Sequence, residues 1–199
     1  MQKFLHVGCG PKRKAQTTPG FNTPEWDEVR FDIDESVQPD VLGTMTDMKA
    51  VADASMDAVF SSHNIEHLYP HDVPVALNEF LRVLKQTGIA VITCPDLQSV
   101  CALIADNKLT QPAYVSPAGP IAPLDILYGH RAAMQRGNLY MAHRCGFTRD
   151  VLHSTLQQSG FPSVIALARP QHFDLWAIAS KQPLTEPQLM ALLKAHGLN

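Results

Sequence analysis

The chain has 199 residues, 45% of them hydrophobic, enough for one domain with a full core and too apolar for a disordered segment. A formal net charge of -3 excludes the basic surface of a dedicated nucleic-acid binder, and the one basic cluster, Lys12-Arg13-Lys14, reads as a solvated loop. Four cysteines (Cys9, Cys94, Cys101, Cys145) without CxxC spacing argue against a disulfide frame or zinc knuckle; with no signal-peptide pattern and no membrane-length apolar run, a cytoplasmic protein is expected.

Residues 3–7 read as a short apolar strand running into the turn Gly8-Cys9-Gly10. Pro11, Pro19, Gly20 and Pro24 punctuate residues 11–25, so any first helix there is short or missing. Residues 28–33 form a second strand, with Val29, Phe31 and Ile33 on one face, and end in Asp32-Ile33-Asp34. The distance from Gly10 to Asp32 suits a βαβ nucleotide-binding unit, in which an acid about 20 residues after the glycines meets a ribose hydroxyl. Asp32 and Asp34 point to the same side, and the pattern alone admits either.

A short strand follows at 40–42, and Met56 to Ser61 reads as a buried strand. Val73, Ala76, Leu77, Phe80, Leu81 and Leu84 recur at helical spacing and predict a helix from Val73 to Lys85, stopped by Gly88. Ile89 to Thr93 is an unbroken core strand ended by Pro95, and 97–106 is helical. Residues 110–124 carry Pro112, Pro117, Gly119, Pro120 and Pro123 and predict an irregular lid or binding loop. Thr148 caps a helix to Ser159; 164–168 and 173–180 are closing strands; Thr185-Glu186-Pro187-Gln188 opens a last helix ending at Gly197. Strands alternating with helices predict a doubly wound α/β fold with a mostly parallel sheet and one antiparallel strand at its edge. A single domain over 1–199 is expected, with an insertion at about 96–145 and a C-terminal helix at about 185–197.

The ordered series Leu-His-Val-Gly-Cys-Gly, Phe-Asp-Ile-Asp, Thr-Asp-Met, Ser-Met-Asp-Ala-Val-Phe-Ser-Ser-His-Asn-Ile-Glu-His-Leu and Glu-Phe-Leu-Arg-Val-Leu-Lys resembles the class I S-adenosylmethionine-dependent methyltransferases, type 11 branch. The resemblance covers residues 3–95 and, through Gly-Phe-Thr-Arg and Ser-Gly-Phe, residues 146–180; 96–145 stands outside the general pattern. It implies a Rossmann-like seven-stranded sheet, S-adenosyl-L-methionine as cofactor and methyl transfer to an acceptor. By position in the motifs it implies cofactor contacts from Gly8, Cys9 and Gly10, from Asp32 (favoured over Asp34) and Ile33, from Thr46, Asp47 and Met48 at the adenine, and from Ser62 and His63. The family's third glycine is missing, and Lys12 and Arg13 stand near its place; Arg13 is the basic residue offered to the methionine carboxylate.

The insertion concentrates Tyr128, His130, Arg131, His143 and Arg144, suited to an anionic or hydroxylated ligand, so Tyr128, His130, Arg131 and His143 are the substrate-binding candidates. His63, His130 and His143 are the candidate bases. A small-molecule acceptor is expected, with neither nucleic acid nor membrane as partner. Two other readings stand beside it: a non-catalytic methyltransferase-like binding domain, and a zinc hydrolase from His63-Asn64-Ile65-Glu66-His67, which fits H-x-x-E-H. That pattern needs a long helix, whereas a strand ends just before it and Pro70 follows, so no metal ligand is expected.

Overall fold

The structure is a computed structural model that describes residues 1–117 and 119–198; Ala118, in the proline-rich stretch, and the terminal Asn199 lie outside the described residues. Its frame is a seven-stranded sheet built from β1 (Gln2–Val7), β2 (Trp26–Asp32), β3 (Val41–Leu42), β4 (Met56–Ser62), β5 (Leu84–Pro95), β8 (Ser163–Arg169) and β9 (Asp174–Ser180), in the order β3-β2-β1-β4-β5-β9-β8. The strands β3, β2, β1, β4 and β5 are parallel. The antiparallel member is β9, seated one strand in between β5 and the edge strand β8. Consecutive strands run outward from β1 in both directions, which opens a crevice above the carboxyl ends of β1 and β4.

Alternation along the strands divides the core. Leu5, Val7, Val59 and Ile92 face α1 (Val73–Val83) and α5 (Arg149–Gln158), where Leu77, Phe80, Leu152 and Leu156 close over them. Each such fully buried side chain contributes roughly 1.5–3 kcal/mol. Phe4, Phe60, Val91 and Ile178 face the other way, onto Phe21 and the C-terminal helix α6 (Glu186–Ala195). Here residues 11–25 do what a helix would do in the first crossover. Only a 3-10 turn forms, at Lys14–Gln16, and Phe21 stacks on Phe4 with ring centroids 4.5 Å apart.

Two expectations are corrected. The helix expected to reach Lys85 stops at Val83, and β5 begins at once with Leu84. A bulge makes this workable: Met56 pairs with Leu84 but Ala58 with Ile89, so the extra residues loop out around Gly88. The stretch 110–124, expected to be irregular, holds a hairpin of β6 (Tyr114–Ser116) and β7 (Gly119–Ile121). Proline is tolerated there because the hairpin is an isolated two-stranded ribbon with free edges. The rest of the insertion is helical: α2 (Leu97–Ala105), α3 (Pro123–Tyr128) and α4 (Arg131–Gln135). Among the described residues no helix is long and apolar enough to cross a membrane.

The chain's far end is tied to the first crossover by a buried polar contact. Thr18 Oγ1 and His196 Nδ1 stand 2.6 Å apart, and His196 is 5% exposed. Burial pushes the imidazole down to about 4. The native state therefore holds His196 neutral where the unfolded chain binds a proton, between about pH 4 and 6.5. The stability it contributes is full above pH 6.5 and is lost as the pH falls through 4, up to roughly 3 kcal/mol. Urea midpoints measured across this window should fall with pH in the wild type and fall clearly less in His196→Phe; equal slopes would contradict the assignment.

Candidate functional site

The turn after β1 is shaped by two glycines with different reasons for being there. Gly8 has φ +61°, and a Cβ on it would stand 1.9 Å from Asn64 Oδ1. The Asn64 amide fills that place because it donates to the carbonyls of Val7 (2.9 Å) and Ser62 (3.1 Å), lacing the ends of β1 and β4 together. Gly10 has φ +51°, with open space where a Cβ would point. Its N–H donates to Asp32 Oδ2 at 2.7 Å, while Asp32 Oδ1 accepts from the N–H of Asp34 at 2.9 Å. Each carboxylate oxygen thus uses one acceptor position and keeps another.

Beneath this turn lies Arg30, 1% exposed. Its guanidinium donates to the carbonyls of Gly10, Lys12, Val37 and Gln38. Among the described residues no carboxylate lies within ion-pair distance of it, so its charge is spent on holding the glycine turn against the segment after β2. A cavity of about 430 Å³ opens above this base, lined by Gly8, Cys9, Gly10, Asp32, Ile33, Thr44, Met45, Ser62 and His63, among others, and roofed from the insertion by Asn138, Tyr140, Met141 and Arg144.

A second cavity, of about 560 Å³, adjoins it toward β9 and the insertion, and His63, His67 and Met141 line both. His63, 49% exposed, stands at this boundary with φ +56°, a strained conformation of the kind kept where geometry matters. Its N–H is held by Thr93 O at 2.9 Å, and Nδ1 lies 3.4 Å from Glu66 Oε1. Glu66 is 1% exposed. Burial alone would push its carboxyl up, but His63, His67 and His143 together outweigh this and hold it below the ordinary value. His143 is pushed down, by burial above all, against the opposing pull of Glu66.

The comparisons with known proteins follow this geometry. Residues 5–92 match the sequence model of the family described as "Methyltransferase domain". Over this segment, 88 of the 199 residues, the chain is similar to that family. No curated protein matches the chain. Among solved structures, an S-adenosylmethionine-dependent methyltransferase from Archaeoglobus fulgidus is 17% identical, with 90% of this chain and 86% of that one covered and a TM-score of 0.57. One from Thermotoga maritima is 14% identical, covering 92% and 83%, with a TM-score of 0.56. The 1,6-didemethyltoxoflavin-N1-methyltransferase of Burkholderia thailandensis, solved with 1,6-didemethyltoxoflavin and S-adenosylhomocysteine, is 14% identical over 91% and 71%, with a TM-score of 0.55. These likenesses show the fold, that of S-adenosylmethionine-dependent methyltransferases.

Gly8, Cys9, Gly10, Asp32, Ile33, Ser62 and His63 line the smaller cavity. Asp34 also lines it, while its carboxylate caps the turn at Glu35–Val37 through the N–H of Ser36. Arg13, Thr46, Asp47 and Met48 do not line it. Arg13 faces solvent at the head of the Lys14–Gln16 turn. Met48 is fully buried in the core, its N–H given to Glu79 Oε2 at 2.6 Å, and Asp47 turns outward to Lys49 at 2.9 Å. Thr46 bonds Thr44 at 3.1 Å; from this loop Thr44 and Met45 reach the cavity instead.

In the larger cavity, His130 and His143 are lining residues, but Tyr128 and Arg131 are not. Tyr128 is 60% exposed, and Arg131 is spent on a two-pronged pair with Asp125 (2.6 and 3.1 Å). The H-x-x-E-H segment begins just after β4 ends and holds one 3-10 turn, Ile65–His67, so its two histidines do not share a helix face and the zinc-peptidase arrangement does not form. Asn64, Arg30 and Tyr140 carry roles that the sequence did not point to, the one hint being the place of Arg30 between Val29 and Phe31 in a buried strand; Glu66 stood there only in the H-x-x-E-H alternative.

Proposed function

We propose that the chain is a methyltransferase that binds S-adenosylmethionine in the smaller cavity and a small-molecule acceptor in the larger one. The observation that carries the reading is that the two cavities share His63, His67 and Met141, so ligands filling both would meet there. The smaller cavity fits the cofactor: open space at Gly10, acceptor positions left on both Asp32 oxygens for vicinal hydroxyls, and a volume within the range of roughly 300–1,000 Å³ usual for such ligands. When bound, the cofactor supplies a methyl group already activated on a sulfonium.

The chain's own task is alignment, exclusion of water and removal of a proton. Proximity and orientation are worth about 7–11 kcal/mol in favourable cases. His63, with Glu66 behind Nδ1, takes the proton of an acceptor hydroxyl or amine; His130 and His143 orient the acceptor from the insertion. The free cysteines suit the reducing cytoplasm.

The test is incubation of the purified protein with methyl-labelled S-adenosylmethionine and cell extract, separated by size. Label is expected in the small-molecule fraction. Label confined to protein or nucleic acid would overturn the reading.

A further inference from the structure

We propose that Glu66, His67 and His143 bind a divalent first-row transition-metal ion in the wall of the larger cavity. One ligand atom from each residue lies within 4.8 Å of the others. Some point therefore lies within about 2.8 Å of all three, so side-chain adjustments of roughly 0.7 Å bring them to the usual metal–ligand distance of about 2.1 Å.

The carboxylate is the independent pointer. Both Glu66 oxygens are buried without a hydrogen-bond partner among the described residues, and the nearest group, His63 Nδ1 at 3.4 Å, makes only an ionic contact. A buried carboxylate without donors is unfavourable. Neither His67 nor His143 gives it a hydrogen bond. His67 Nδ1 faces the carbonyl of Ala142 at 3.1 Å, and His143 Nδ1 faces that of Ile126 at 2.8 Å. A ring nitrogen facing a carbonyl carries the hydrogen, which leaves Nε2 of each ring with a lone pair. The cluster therefore gathers lone pairs and an anion, and a cation is what makes it favourable. Carbonyls on the far nitrogens are the usual partners of metal-binding histidines.

The ligands are held in place before any ion arrives. The N–H groups of Arg144 and Cys145 both donate to Glu66 O (2.8 and 3.2 Å), and His143 N–H donates to Tyr128 O (3.2 Å). These bonds fasten the end of the insertion over the turn that carries Glu66 and His67. Two imidazoles and one carboxylate favour zinc, iron, cobalt or manganese over magnesium and calcium. Three protein ligands leave positions open toward the cavity. There the ion would hold an acceptor oxygen: the O–H bond breaks, the electron pair stays on the metal-bound oxygen, and the proton passes to His63. This role rests on the acceptor reading above; ion binding itself does not.

The experiment uses the full chain, stripped with a chelator and studied without cofactor or acceptor. Calorimetry should show one Zn²⁺ or Co²⁺ per chain and no binding of Mg²⁺, and bound Co²⁺ should give a visible spectrum without thiolate charge transfer. His143→Ala and Glu66→Gln should each weaken binding roughly 100-fold or more, with exposed His71→Ala unchanged. No stoichiometric binding, or binding that survives in His143→Ala, would overturn the site. If Glu66→Gln does not fold, His143→Ala decides alone.

Discussion

Replacing His63 by alanine should slow methyl transfer roughly 10²-fold or more, while S-adenosylhomocysteine affinity stays within about threefold. The expectation follows from position. His63 lines both cavities, sits in a strained conformation fixed by Thr93 O, and has the buried Glu66 behind its ring. Removing it takes away a proton acceptor at the boundary and leaves the glycine turn and Asp32 untouched. A variant that keeps its rate within threefold would show that the acceptor needs no base or uses another one.

Arg30→Met should lower stability by about 3–5 kcal/mol, read as a fall in the urea midpoint, and weaken cofactor binding tenfold or more. Four backbone carbonyls lose a charged donor in a place closed to water. That is a large part of the 5–15 kcal/mol that holds a domain of this kind together. The second effect follows because Gly10 and Lys12 are two of the four anchors, so the turn loosens even in molecules that stay folded. An unchanged midpoint would show that the carbonyls find other partners.

Some of this was legible in the sequence and some was not, for physical reasons. The parallel strands were plain because a strand buried on both faces has to be an apolar run, as in Ile89 to Thr93. Gly8, Gly10 and Asp32 were legible because turn geometry and strand ends constrain residue type directly. The loop 43–48 was not: in a non-repeating segment no period says which side chain faces the cavity, and Met48 went to the core while Thr44 and Met45 faced inward. The hairpin at 114–121 was hidden by prolines that forbid a central strand but not a free-edged ribbon. Glu66 was hidden most thoroughly. The H-x-x-E-H pattern named it without its burial, which depends on His143, 77 residues later, being fastened over it.

The central claim is that the cavity at Gly8–Gly10 and Asp32 is the cofactor site, and a calorimetric titration with S-adenosylhomocysteine tests it most directly. The wild type should bind one molecule per chain, and Asp32→Ala should bind at least tenfold more weakly, roughly 1.4 kcal/mol, while keeping its circular dichroism spectrum. Absence of binding to the wild type, equal affinity for NAD, or an Asp32→Ala variant that binds as tightly as the wild type would contradict it.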